Sequence, residues 1–167
     1  MVAPWHNQNK LYNKIMKESI KVKGHYRFVK RNIYTGKITG VYEYDNLIPL
    51  VGRSAIINNM FNVAPTYDLL ANYVALGSGT NAPANANTTL QTEVYRNLAA
   101  SRSEADNVGY LTGFFTATET DGTYREAGVF MNATGVAGSG VLLSRVAINI
   151  TKSSSESLSL DWTFTIA

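Results

Sequence analysis

A nine-residue alternation constrains the fold of this sequence more than any other feature. In Leu158-Ser-Leu-Asp-Trp-Thr-Phe-Thr-Ile166, the residues Leu158, Leu160, Trp162, Phe164 and Ile166 fall on one side, and Ser159, Asp161, Thr163 and Thr165 on the other. A period of two is the mark of a strand with one face in a core and the other facing water or a partner. Trp162, Leu160 and Phe164 are therefore core residues, with Trp162 the anchor. Phe130, in the apolar run that ends at Met131, belongs with them.

Similar short runs precede it, separated by turn chemistry. Gly24 to Tyr34 and Lys37 to Tyr44 flank Thr35-Gly36, which predicts a β-hairpin whose Gly supplies a positive φ. Asn72 to Leu76 is a short strand, followed by a loop of small polar residues from Gly77 to Asn87. Thr88 or Thr89 suits the cap of a short helical turn through Leu90, Glu93 and Val94. Asn107 to Thr118 is a strand, and Asp121-Gly122 predicts a hairpin into Thr123 to Met131. A second Gly-rich loop, Asn132 to Gly140, leads to a strand from Val141 to Ile150, and a Ser-rich turn leads to the Trp162 strand. The one good helix spans Val51 to Phe61, with Ile56, Ile57, Met60 and Phe61 on one face. These about seven strands predict a mainly β protein, a β-sandwich or jelly-roll-like domain with one short helix.

At 167 residues the chain holds one domain with a real core and is too short for two ordinary domains and a linker. The division expected is an extended basic N-terminal arm, residues 1–24, and a single domain, residues 25–167. Within the arm, Leu11 and Ile15, with Tyr12 beside them, recur at the spacing of one helical turn. So short and charged a segment orders only against something else, its own domain or a neighbouring subunit. Charge sharpens the division. Residues 1–60 carry ten Lys/Arg against three acids, and residues 61–167 carry five against nine. That asymmetry suits contact between copies or an arm laid on an acidic neighbour. The residues expected to make such contacts are Trp5, Lys10, Leu11, Ile15, Lys17, Lys21, Arg27, Lys30 and Arg31.

With no cysteine, disulfides, thiolate metal sites and a Cys nucleophile are excluded. No apolar run reaches the length needed to span a bilayer, and the first residues lack the apolar core of a signal peptide, so a soluble protein without membrane insertion is expected. Three Asn-x-Thr sequences, at Asn87, Asn132 and Asn149, carry no weight without such a signal. The two histidines, His6 and His25, lie in or beside the basic arm, which leaves no Ser/His/acid machinery to assemble. Gly77-Ser-Gly-Thr80 lacks the Lys of a phosphate loop, and Glu119 to Gly122 lacks the remaining ligands of a calcium loop. No catalytic residue, metal site or cofactor is expected. Glu126 and Arg145 sit inside apolar strands where a lone charge would be costly, and they predict a structural ion pair. Tyr, Phe, Lys and Arg interleave from His25 to Arg31, as in strands that bind nucleic acid, but an edge strand with basic side chains turned outward explains the same pattern.

From residue 24 onward the ordered set of motifs resembles tailed-bacteriophage virion proteins. The matching pieces are Thr35-Gly36, Asn46-Leu-Ile48, Gly52-Arg53 and Tyr73 to Pro83. They continue with Thr89 to Arg96, Arg125 to Phe130, Leu142 to Val146 and the closing Trp162 strand. The resemblance implies a non-enzymatic structural protein of the tail, baseplate, fibre-attachment or capsid-decorating kind. It implies assembly in the host cytoplasm as a homo-oligomer, trimer or higher, onto other virion proteins. Residues 1–23 have no counterpart in the pattern. The alternative expectation is a receptor- or glycan-binding tip that uses Tyr67, Tyr73, Tyr95 and the two Gly-rich loops.

Overall fold

The computed structural model describes residues 20–119 and 121–167. Trp5, Lys10, Leu11, Ile15 and Lys17, and with them most of the segment assigned to the arm, lie outside the described residues. Nine strands and one helix follow in the order β1 (Val22–Asn32), β2 (Ile38–Asp45), α1 (Leu50–Phe61), β3 (Ala71–Gly77), β4 (Glu93–Leu98), β5 (Ser101–Ala105), β6 (Val108–Phe115), β7 (Gly122–Met131), β8 (Val141–Lys152) and β9 (Glu156–Ile166). They form two antiparallel sheets, one ordered β2-β1-β9-β6-β5 and the other β4-β3-β7-β8. The protein is a β-sandwich.

The sandwich is built on the alternation read from the sequence. Leu158, Leu160 and Trp162 of β9, Tyr26 and Phe28 of β1, and Leu111 and Phe115 of β6 face Val74 and Leu76 of β3, Val129 of β7 and Val146, Ile148 and Ile150 of β8. Tyr26 stacks on Phe28 with ring centres 5.8 Å apart and leans on Trp162 at 6.3 Å. Its hydroxyl crosses to the other sheet and donates to Ser144 Oγ at 3.0 Å, which satisfies a polar group that would otherwise be stranded. Burial holds that phenol well above its ordinary range. The Trp162 indole donates to Asn46 Oδ1 at 3.4 Å.

The second sheet is covered on both faces. Phe130, Ala75 and Leu142 point away from the main core and form a smaller cluster with Leu90 and Ala133 under α1 and the long loops. Phe130 thus belongs to this outer cluster, fully buried.

Three expectations about the strands are corrected. β1 begins at Val22, so Val22, Lys23 and Gly24 belong to the sheet, paired with Ile166, Thr165 and Phe164. Glu93–Leu98 is a strand and not a helical turn, because the open edge of β3 takes it into register from Tyr73↔Leu98 to Gly77↔Glu93. Asp121-Gly122 makes no hairpin. Both edges of β6 are occupied by β5 and β9, so the chain crosses to the other sheet and β7 pairs with β3 and β8. The buried Lys152 ammonium ties this crossover down by donating to Ala117 O at 3.2 Å and Glu119 O at 2.9 Å.

The helix packs through a different face from the one its large residues suggest. Gly52 and Ala55 are buried, Ile56 is half-buried, and Ile57, Met60 and Phe61 are 56%, 67% and 77% exposed. Small residues let the helix approach β8 closely: a Cβ on Gly52 would stand 2.9 Å from Leu142 O and 3.0 Å from Leu143 Cα.

Candidate interaction surface

The β1–β2 hairpin presents a group of exposed apolar side chains at its turn and along one strand. Asn32 shapes its tip: Oδ1 accepts from Tyr34 N and Thr35 N, each at 3.0 Å, and Gly36 N donates to Asn32 O at 2.9 Å with φ +67° at Gly36. The turn pushes Tyr34 and Ile33 into solvent, 80% and 48% exposed. Along the neighbouring β2 edge, Ile38 and Val41 are 50% and 47% exposed. Among the described residues β2 is hydrogen-bonded on one side only. An open edge with apolar residues is a template for a further strand or a partner surface.

The basic residues expected to make contacts divide into two groups here. Arg27 lies between two acids of neighbouring strands, with Nε 3.7 Å from Glu43 and Nη1 3.7 Å from Asp161. Lys30 is drawn to the end of the sandwich, where Nζ donates to Thr151 O at 2.8 Å and meets the Glu156 carboxylate at 3.1 Å. Both are engaged within their own domain. Among the described residues, Lys21, Lys23, Arg31 and Lys37 make no ion pair, and Arg31 and Lys37 flank the hairpin tip. The Glu156 carboxyl lies at a crowded junction. Burial works against its ionisation, but Thr39, the Ser153 N–H and the Lys30 ammonium together overcome this and hold its pKa at about 2.

The other half of the candidate surface is the pair of Gly-rich loops over the second sheet, each fastened by a buried Arg–Glu pair. The structure brings Glu126 and Arg145 together, with Arg145 Nη2 2.8 Å from Glu126 Oε2 and both side chains 1% exposed. The carboxylate also accepts from Gly79 N, Gln91 N and Thr92 N at 3.2, 3.0 and 2.7 Å. The guanidinium donates onward to Asn81 O at 3.0 Å and Asn87 Oδ1 at 2.6 Å. Every backbone or side-chain partner in that set except the pair itself belongs to residues 78–92. Arg125, the residue before Glu126, is exposed.

The second pair was missed from sequence. Arg96 Nε lies 2.5 Å from Glu93 Oε1, while Nη1 donates to Thr134 O at 3.0 Å and Ser139 Oγ at 2.9 Å. Its guanidinium also covers the Phe130 ring, 4.6 Å from the centroid. This fastens the 132–140 loop as Arg145 fastens the first. The signal was present in Arg96 and Glu93, but reading Leu90, Glu93 and Val94 as a helical turn hid the strand that carries both.

Tyr67, Tyr73 and Tyr95 do not converge on one surface. Tyr73 packs on the outer cluster, whereas Tyr67 and Tyr95 lean on the main core, Tyr95 edge-on to Phe115 at 6.2 Å. His25 pairs with Asp45, Nδ1 to Oδ1 at 3.1 Å. Among the described residues no three His, Asp or Glu side chains gather as a metal-binding group, and no helix is long and apolar enough to cross a membrane.

Fold and surface together define the class as a two-sheet antiparallel sandwich with clamped loops on one face and an open hairpin edge on the other sheet. The chain matches no protein-family model, no curated protein and no solved structure at a significant level.

Proposed function

We propose that this is a non-enzymatic bacteriophage virion structural protein that assembles in multiple copies onto other tail, neck, baseplate or capsid proteins, through its first hairpin and the segment before it. The observation that carries the reading is the hairpin itself. Ile33 and Tyr34 at the turn and Ile38 and Val41 on β2 lie exposed, with Arg31 and Lys37 beside them, and among the described residues β2 has one open side. An apolar centre with basic residues around it is the composition of a contact patch. The rigidly fastened loops support the same reading, because a particle protein must keep its surface shape when docked. Many copies would add weak contacts into firm attachment.

The test is a virion assembled with Ile33→Asp/Tyr34→Asp protein. Both side chains are exposed, so the melting temperature should hold while the amount of this protein in purified particles falls. Unchanged incorporation would count against the hairpin as the attachment element. Immunogold labelling of intact particles separates head from tail positions, and particles that carry none of the protein would sink the virion reading itself.

A further inference from the structure

One end of the sandwich is not closed by anything described so far. Trp162, Leu111, Met131 and Leu143 form the buried floor of an apolar cleft of about 360 Å³, and Ile56, Leu69, Tyr110 and Ile166 stand at its walls. A cavity of roughly 150 Å³ already accepts a benzene-sized apolar group, so this one has room for more than one large side chain. Met60, one helical turn beyond Ile56, and Leu70, beside Leu69, add exposed apolar surface, at 67% and 46%.

The chain preceding β1 emerges at this cleft. Lys21 N donates to Ala167 O at 2.5 Å and Ala167 N to Lys21 O at 2.7 Å, and Val22 pairs with Ile166, a wall residue. Nineteen residues lie before that point outside the described part, and they include Leu11 and Ile15 at one-turn spacing among Lys10, Lys14, Lys17 and Glu18. Ile15 lies seven positions before Val22, an extended reach of about 25 Å, against a cleft whose wall begins at Ile166, the partner of Val22. The charges agree. Asp68 adjoins the wall residue Leu69, and Glu104 pairs across the ladder with Gly109 of the lining; both acids and Asp106 at the same turn are exposed. Arg102 is the basic residue of the lining, and Lys21, just before β1, and Lys23, on it, lie nearby.

We infer that the cleft is the docking site of the chain's own N-terminal segment, with Leu11 and Ile15 as the inserted side chains and Lys10, Lys14 and Lys17 turned toward Asp68, Glu104 and Asp106. A tethered segment meets its site at roughly millimolar effective concentration, which favours the chain's own segment over that of another copy at micromolar protein. The inference concerns the free chain and stands apart from any role in a particle.

The full chain lacks cysteine, so a single Asn13→Cys variant takes a spin label at one place. In dilute methyl-labelled protein, the signals of Ile56, Leu69, Leu111 and Ile166 should broaden severalfold more than those of Ile33 and Ile38 at the far end of the first hairpin. Adding Leu11→Asp/Ile15→Asp should abolish the difference; broadening that survives would overturn insertion of those side chains. A mixture of spin-labelled chain and separate methyl-labelled chain should show no effect. Broadening found only in the mixture would overturn the assignment and give the cleft to a second copy. No selective broadening in either sample would overturn it and leave the cleft to an outside partner. Virion incorporation of the Leu11→Asp/Ile15→Asp protein is a separate readout that bears on the particle role alone.

Discussion

The Glu126–Arg145 pair allows a quantitative test. Glu126→Ala removes the acceptor of three loop N–H groups and leaves a guanidinium that is 1% exposed without its counter-charge. Removing one partner of a buried ion pair costs about 3–5 kcal/mol. Each N–H left unsatisfied adds about 1–3 kcal/mol where water cannot reach it. Gln91 and Thr92 are exposed residues whose amides can turn to water, whereas Gly79 is buried, so the cost should be about 3–5 kcal/mol for the pair with about 1–3 kcal/mol more for the Gly79 N–H. Arg145→Ala should fall in the same range, since it strands the carboxylate and releases Asn81 O and Asn87. The double variant should cost clearly less than the two singles together, because neither charge is then left without its partner. Urea unfolding of the four proteins measures the cycle, and amide exchange at Gly79, Gln91 and Thr92 reports the loop directly. Single substitutions that cost under about 1 kcal/mol, or a strictly additive double, would show that the pair does not fasten the loop.

Three further outcomes are expected. Trp162→Ala, which removes a side chain 3% exposed on the floor between the sheets, should cost about 3–5 kcal/mol in thermal or denaturant unfolding, and an unchanged melting curve would refute its place as core anchor. Gly52→Ala would gain about 1 kcal/mol on helix propensity alone, yet the 2.9 Å approach of its Cβ to Leu142 O should make it destabilising, which a melting temperature above that of the unmodified protein would disprove. For Glu156, the folded pKa of about 2 lies below the roughly 4.3 of an unfolded Glu, so the stabilisation is complete above that value and disappears as pH falls through about 2. Glu156→Gln should therefore flatten the loss of stability between pH 4.5 and pH 2, and an unaltered acid limb would refute the assignment.

Residues whose role is set by burial within their own strand were legible in the sequence. The alternation of Leu158 to Ile166 placed Trp162 inward because a one-residue slip would reverse the whole set. Glu126 and Arg145 were found because a charge in an apolar run needs a partner, and the pattern says so without a structure. What escaped depended on which strand lies beside which. Ser101–Ala105 is exposed throughout, so β5 has no apolar period to read, and it exists because β6 offers it an edge. Asp121-Gly122 has hairpin chemistry, but the edges of β6 were already taken. Helix α1 was found, yet its buried face was misread, because large side chains were given the contact that Gly52 and Ala55 make. The exposed pair Ile33 and Tyr34 stood in plain view beside the Thr35-Gly36 turn, and only the fold shows that nothing of the described domain covers them.

The position of β9 also bears on how the sandwich comes together. It is the latest strand in chain order, and it lies between β1 and β6 as the central strand of its sheet. The β1–β2 hairpin can close locally in microseconds, but its only other neighbour among the described strands is β9, so it must wait for a partner more than a hundred positions away. Strands β3, β4, β7 and β8 can complete their own sheet earlier. During that interval the hairpin carries an unpaired β1 edge beside the already open β2 edge, with Tyr26 and Phe28 uncovered between them. From this topology the insertion of β9 is expected to be the slow, aggregation-prone step of folding, and substitutions that delay it should lower the yield of soluble protein well before they change the stability of what has folded.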